Sequence, residues 1–294
     1  MVAVLPDLDA LRARFTTPPV TRFAPSPTGY LHLGHVVNAI YVWGLARALG
    51  GRVWLRIEDH DRIRCRPAFE TALLEDLEWL GFTADAGASP LRRQSEASPR
   101  YAAALERLRG VQVVYGCRCS RRDIGGQRYD GRCRSLGIEG PRTGLRVAIG
   151  PGPEAADDAL LGPLLQEPAR QCGDVLVRDR DGQWTYQFAV TVDDVADGIT
   201  LVIRGADLLD STGRQVALGR MLGRPVPPLY LHHPLLLDAN GRKISKSDGD
   251  AGVRDLRSQG WRAAAVIGYA AATVGLLASP GPIEADAVHR LFST

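Results

Sequence analysis

Lysine is almost absent from this chain. Of its 36 basic residues, 34 are arginines and only Lys243 and Lys246 are lysines. A chain that uses the planar guanidinium for nearly every cation has kept the compact, strongly hydrated ammonium at two sites three residues apart, so those sites require lysine chemistry. Long apolar runs are missing as well. Nowhere do about 18 apolar residues run together, which excludes a membrane-spanning helix, and Met1 to Ala10 carries acids where a secretory signal would carry bases. The expectation is a cytoplasmic protein with no membrane partner. Net charge is only +3, so no global excess announces nucleic acid. Cysteine is scarce: five residues in a chain of 294 are no disulfide framework, and Cys117-Arg118-Cys119 favours metal binding. There is no internal repeat, and 45% hydrophobic with 23% charged residues excludes a disordered class.

What is there begins with Pro25-Ser26-Pro27-Thr28-Gly29-Tyr30-Leu31-His32-Leu33-Gly34-His35. Val20 to Ala24 before it is expected as a buried strand. Val36, Val37, Ile40, Leu45 and Ala48 after it have helical spacing, closed by Gly50-Gly51. Two imidazoles and a glycine at a helix start, where backbone N–H groups lie unpaired, suit a phosphate chain. Arg52 to Ile57 is expected as the next strand, completing a strand, helix, strand unit. Such a unit places ligands at the carboxyl ends of its strands, where Pro25 to His35 and Glu58-Asp59-His60-Asp61 would converge. Pro67 opens a packing helix with Phe69, Leu73, Leu77 and Leu80 on one stripe and Gly81 past its end. A further amphipathic helix is expected over Tyr101 to Arg109.

From Val111 to about Gly162 the chain turns Gly- and Arg-rich. Cys117, Cys119 and Cys133 supply three soft ligands, brought together by turns at Gly125-Gly126 and Gly131; spacing leaves the fourth position to water, Tyr129 or Asp123. Arg118, Arg121, Arg122, Arg128, Arg132, Arg134, Arg142 and Arg146 crowd the same region, a distribution suited to a phosphate backbone. Asp174 to Arg178 and Trp184 to Val192 alternate as strands would, with Asp179-Arg180-Asp181-Gly182 as the hairpin turn between them. Ile199 to Arg204 is another expected strand, and after Pro225, Pro227 and Pro228 comes the stretch Tyr230 to Leu237. Asp238-Ala239-Asn240-Gly241 is a turn, and Arg242-Lys243-Ile244-Ser245-Lys246-Ser247 then forms a loop able to fold over a triphosphate. The last 44 residues read as helical.

His32-Leu33-Gly34-His35 and Lys243-Ile244-Ser245-Lys246-Ser247 resemble the HIGH and KMSKS signatures of class I aminoacyl-tRNA synthetases. Arg22 to Gly29 and Arg56-Ile57-Glu58-Asp59 resemble the glutamate-specific branch. The likeness covers roughly residues 20 to 250. Within that branch the chain resembles the short glutamyl-Q tRNA(Asp) synthetases, which lack the anticodon-binding domain of glutamyl-tRNA synthetases and carry Cys-x-Cys, Tyr and Cys as a zinc site. The resemblance implies an α/β fold: a class I Rossmann nucleotide-binding domain with an inserted zinc-bearing subdomain and a short helical C-terminal segment. It divides the chain at 18–110, 111–183, 184–250 and 251–294, with the first and third parts forming the two halves of the catalytic domain.

The same resemblance implies the chemistry. Glutamate is activated with ATP, without tRNA, and transferred to queuosine at the wobble position of tRNA(Asp), the anticodon arm being the docking partner. His32, His35 and Lys246 would be catalytic, and Gly34 and Lys243 would join them around ATP and its Mg²⁺. Arg22, Phe23, Ala24, Pro25, Ser26, Glu58, Tyr186 and Arg204 would bind glutamate. Cys117, Cys119, Tyr129 and Cys133 would hold one structural Zn²⁺. Separately, no long exposed heptad suggests association, so a monomer is the expectation. The alternatives are a truncated glutamyl-tRNA synthetase charging the tRNA 3′ end, a small-molecule nucleotidyltransferase, and a non-catalytic zinc-bearing RNA-binding descendant of a synthetase.

Overall fold

The computed structural model describes residues 5–126, 128–236 and 252–293, so the lysine-bearing loop with Lys243 and Lys246 lies outside the described residues. The first turn of helix, α1 (Leu8–Arg12), is capped by the Asp7 carboxylate. Strand β1 (Val20–Phe23) leads to α2 (Leu33–Ala48), and β2 (Arg52–Leu55) returns parallel to β1 with Arg22 opposite Trp54. Proline at the first turn starts α3 (Pro67–Leu80), and Gly81, at φ +85°, ends it in a left-handed cap. Then come α4 (Ser98–Val111), β3 (Val114–Cys117), α5 (Arg121–Ile124), β4 (Gly144–Val147), β5 (Glu154–Asp158), β6 (Gly162–Gln166), α6 (Pro168–Gln171) and β7 (Val175–Arg178). The chain continues through α7 (Tyr186–Ala196), β8 (Leu201–Gly205), α8 (Thr212–Met221), β9 (Leu229–His233), α9 (Val253–Ser258) and α10 (Ala263–Thr273). Among the described residues no helix is long and apolar enough to cross a membrane.

Strands β8, β9 and β5 run parallel, and β6 closes that sheet as an antiparallel edge. The β1–β2 pair lies beside it: Thr200 N–H donates to Val20 O at 2.9 Å, and Val20 N–H donates to Thr200 Oγ1 at 2.9 Å. Four parallel strands, β1, β2, β8 and β9, therefore end on one side. Residues 154–166 fall within the stretch expected as an insertion, yet they contribute β5 and β6 to this sheet. A separate antiparallel sheet, β3-β4-β7, carries Cys117 at the end of β3. The main core wraps α2, which buries Val36, Ile40, Tyr41 and Leu45 on all sides. Gly44 admits the ring of Phe292, since a Cβ there would lie 2.3 Å from Phe292 Cε2.

One expected strand is a helix. Trp184 to Val192 reads as alternation, but Tyr186–Ala196 is α7. Phe188, Ala189 and Val192 pack with Tyr101, Leu105 and Leu108, and Val190 is buried as well. A helix covered on more than one side leaves an apolar run that periodicity does not separate from a strand. The preceding turn is present: Asp179 N–H donates to Gln183 O at 2.8 Å, and Arg178 bridges to Trp184.

Candidate active site

A cavity of about 280 Å³ opens at the carboxyl ends of β1, β2, β8 and β9, against the N-terminus of α2. It gathers Arg22, Ala24, His32, Gly34, His35, Glu58, Tyr186 and Arg204, residues up to 182 positions apart in the chain. Three residues expected to touch substrate do not line it. Phe23 is 1% exposed and packs against Trp43, ring centroids 5.1 Å apart, because the β1 pleat turns it into the core. Pro25 O accepts from Glu58 N–H at 3.0 Å, and Ser26 Oγ–H donates to Glu58 O at 2.8 Å. These two hold the backbone that carries Glu58.

At the start of α2, His32 is the N-cap, and its Nδ1 accepts from Gly34 N–H at 3.1 Å. His35 Nδ1 accepts from His32 N–H at 3.2 Å, and the two ring centroids are 3.9 Å apart. An Nδ1 that accepts leaves the neutral ring's proton on Nε2, so both rings are donors beside a helix N-terminus, an arrangement suited to phosphate. Gly34 is required for the approach: a Cβ there would stand 2.9 Å from His32 Cε1.

Behind the cavity, four carboxylates face four guanidiniums. Arg22 Nε donates to Asp194 at 3.1 Å, and Arg56 donates to Asp194 at 2.8 Å and to Glu58 Oε1 at 3.0 Å. Arg100 donates to Asp193 at 2.7 Å, and Arg92 pairs with Asp197. Burial alone would lower the Arg56 pKa and raise that of Asp194, but the opposite charges outweigh it in both and hold the ions charged. Glu58 Oε2 takes no hydrogen bond from the described residues. Tyr186 presents its phenol to the cavity; burial, then the Glu58 charge, push its pKa up to about 12, so it stays a donor.

Arg204 is different. It is 4% exposed, and its three described acceptors are neutral: His232 Nε2 at 3.0 Å from Nε, Gln215 Oε1 at 2.5 Å and Thr212 Oγ1 at 2.9 Å from its terminal nitrogens. Burial lowers its pKa, and the Tyr230 ring 5.1 Å below it offers a face rather than a counterion. A buried cation with neutral partners in a cavity wall is a place for an anion. The cavity also includes Asn38, whose Nδ2 is 3.0 Å from His233 Nε2. Sequence reasoning missed both; Asn38 sits one helical turn past His35, and His233 at the end of β9, so face and strand-end position were the available signals.

In the second sheet, the sulfurs of Cys117, Cys119 and Cys133 all lie within 4.8 Å of one another, Cys119 and Cys133 at 3.5 Å. Tetrahedral thiolates at about 2.3 Å from zinc are about 3.8 Å apart, so the donor set fits. Tyr129 Oη is 3.6 Å from Cys117 Sγ and accepts from Cys133 N–H at 3.0 Å, so its phenol lies beside the three sulfurs. Gly173, φ +68°, makes this possible: Tyr129 N–H donates to Cys172 O, and a Cβ on Gly173 would meet Tyr129 O at 1.8 Å. Burial pushes the Cys117 thiol up, but hydrogen bonds from Tyr129 and Arg146 outweigh it and hold it below the usual thiol range. Arg146 does not belong to the exposed arginines: it is buried, 3.3 Å from Cys117 Sγ and 3.8 Å above the Tyr129 ring. Arg134 pairs with Asp174, Arg132 with Asp130 and Arg142 with Asp181, so three of the eight arginines expected to face phosphate meet carboxylates within the protein.

A model of the catalytic domain of class I tRNA synthetases (E and Q) matches residues 19–272. The glutamyl-Q tRNA(Asp) synthetase of Xanthomonas axonopodis pv. citri is 47% identical over 233 residues, 78% of this chain and 76% of that protein. The one of Nitratidesulfovibrio vulgaris is 41% identical over 281 residues, 87% of this chain and 86% of that protein. The crystal structure of glutamate-tRNA synthetase from Elizabethkingia anophelis aligns with TM-score 0.77 and 26% identity over 93% of this chain, which spans 65% of that longer protein.

Proposed function

This chain belongs to the class I tRNA synthetases (E and Q) and, within them, to the glutamyl-Q tRNA(Asp) synthetases. From that premise we propose that it activates glutamate with ATP in the absence of tRNA and transfers the glutamyl group to queuosine at the wobble position of tRNA(Asp).

The observation that carries the glutamate assignment is Arg204, a buried guanidinium whose acceptors among the described residues are all neutral. It receives the side-chain carboxylate of glutamate; glutamine would leave the cation uncompensated. Arg22 steadies the same end while staying paired with Asp194, Tyr186 donates to the ligand, and the open oxygen of Glu58 takes the ammonium group. The α-carboxylate then attacks the α-phosphorus of ATP, a bond forms to phosphorus, and pyrophosphate leaves. No protein nucleophile is needed, so catalysis is positioning and charge stabilisation. His32 and His35 donate to the phosphates at the helix start, and Lys246 with Lys243 meets the charge developing on pyrophosphate, with Mg²⁺ arriving on ATP. A hydroxyl of the modified base then attacks the mixed anhydride and AMP leaves. Zinc, held by Cys117, Cys119, Cys133 and Tyr129, would pin the turns after β3 and take no part in the reaction.

The test supplies ATP, labelled glutamate and tRNA prepared with or without queuosine. Label retained only on queuosine-bearing tRNA, with pyrophosphate exchange in the absence of any tRNA, supports the proposal. Label on queuosine-free tRNA at the 3′-terminal adenosine establishes the charging reaction instead.

A further inference from the structure

Behind Arg204 lies a second layer. Asp158 ends β5, His232 sits in β9 and Arg204 in β8, and the β8–β9 register sets Arg204 directly opposite His232. Both side chains of the Asp158–His232 pair are fully buried, with Nδ1 2.6 Å from Oδ2. A guanidinium only donates and a carboxylate only accepts, so the partners assign the tautomer: His232 is neutral, with its proton on Nδ1 and its lone pair on Nε2 facing Arg204. Asp158 is itself locked. Oδ1 accepts from Leu160 and Leu161 N–H, each at 2.9 Å, and Oδ2 from His232 N–H at 3.0 Å.

We infer that Asp158 and His232 are positioning residues that set the Arg204 guanidinium for a substrate carboxylate while withholding a direct counterion; this rests on the glutamate site proposed above. With His232 on Nε, Gln215 on one terminal nitrogen and Thr212 on the other, three of five N–H groups are engaged. Among the described residues one is left on each terminal nitrogen, as bidentate carboxylate binding requires. Were Asp158 bonded to Arg204 itself, it would compete with the ligand. Acting through a neutral imidazole, it fixes the acceptor's tautomer and ring plane and leaves the positive charge for substrate.

The test uses the difference between two amides. Asparagine at 232 keeps a donor near Nδ1 and loses the acceptor near Nε2; glutamine does the reverse. In ATP–pyrophosphate exchange, His232→Asn is expected to raise the KM for glutamate by about tenfold or more, leaving the KM for ATP within about twofold. His232→Gln should stay within about threefold of the parent for glutamate, although both variants lose one buried bond. Asp158→Asn is the second probe: its Nδ2 would drive the ring to the Nε2–H tautomer, whose proton opposes Arg204, and glutamate KM should rise there too. Equal changes in the two His232 variants, or an unchanged glutamate KM in Asp158→Asn, overturn the positioning role. Should His232→Asn not fold, Asp158→Asn decides alone. Absence of glutamate-dependent exchange in the parent protein overturns the underlying glutamate reading instead.

Discussion

Arg22 donates from Nε to Asp194 at 3.1 Å, both side chains being less than a tenth exposed. With that pair closed, the other cation lining the cavity among the described residues, Arg204, meets only neutral acceptors. The two arginines flank one cavity, but of the two only Arg22 meets a carboxylate among the described residues.

Replacing Arg204 with glutamine should therefore lower kcat/KM for glutamate by about a hundredfold or more, mostly through KM, with ATP affinity nearly unchanged. Lysine should not rescue it, since one ammonium cannot reach His232, Gln215 and Thr212 together and still present a fork. Steady-state pyrophosphate exchange against both substrates decides this; a wild-type glutamate KM in Arg204→Lys would refute the role given to the fork.

At the helix start, Gly34→Ala would put a methyl group 2.9 Å from His32 Cε1 and displace the imidazole. Activation is expected to fall by about tenfold or more, the cost of moving a positioned group by about 1 Å, while the melting temperature changes little. Thermal melts beside exchange kinetics separate the two effects.

Lys246→Ala should still bind glutamate, by calorimetry, yet lose about a hundredfold or more in activation rate, because the charge it meets develops only as pyrophosphate leaves. Unchanged single-turnover rates would remove Lys246 from the mechanism.

The cysteine cluster should retain one zinc per chain through gel filtration, measured by elemental analysis. Cys133→Ala is expected to abolish the metal and lower the melting temperature, since thiolates left within 4.8 Å of one another no longer share a cation. A metal-free parent of unaltered stability would argue for simple packing.

Asp76 gives a pH dependence remote from the site. Its side chain is fully buried on α3 with no hydrogen bond, Arg254 Nε is 3.6 Å away, and burial pushes its pKa up to about 6. A carboxyl whose folded pKa is raised binds its proton more tightly when folded, so the fold loses stability as pH rises from about 4 through about 6. Asp76→Asn should raise the melting temperature more at about pH 8 than at about pH 5. An equal gain at both would mean that Arg254 keeps Asp76 ionised throughout.

Local features were legible in the chain because they are short-range. The turn-to-helix motif around His32, the proline start and Gly81 stop of α3, and Cys117-x-Cys119 each follow from neighbours within a few residues. The arginine excess sharpened Lys243 and Lys246 in the same way. Sequence spacing misread α7 because Phe188 to Asp194 is buried on every side, so burial does not follow a single helical face. It also counted Arg146 among cations suited to a phosphate backbone, although that guanidinium is folded onto Cys117 and Tyr129.

From the sequence by itself came the two-histidine helix start, the cysteine set and, by resemblance, the family of reactions. Only the tertiary structure decided which buried guanidinium meets a carboxylate and which meets neutral acceptors. That depends on contacts between strands and helices far apart in sequence: Arg22 with Asp194, 172 residues away, and Arg204 with His232 and, through it, Asp158. Charge compensation in a low-dielectric interior is set by distance in space, and no local pattern of residue types records it.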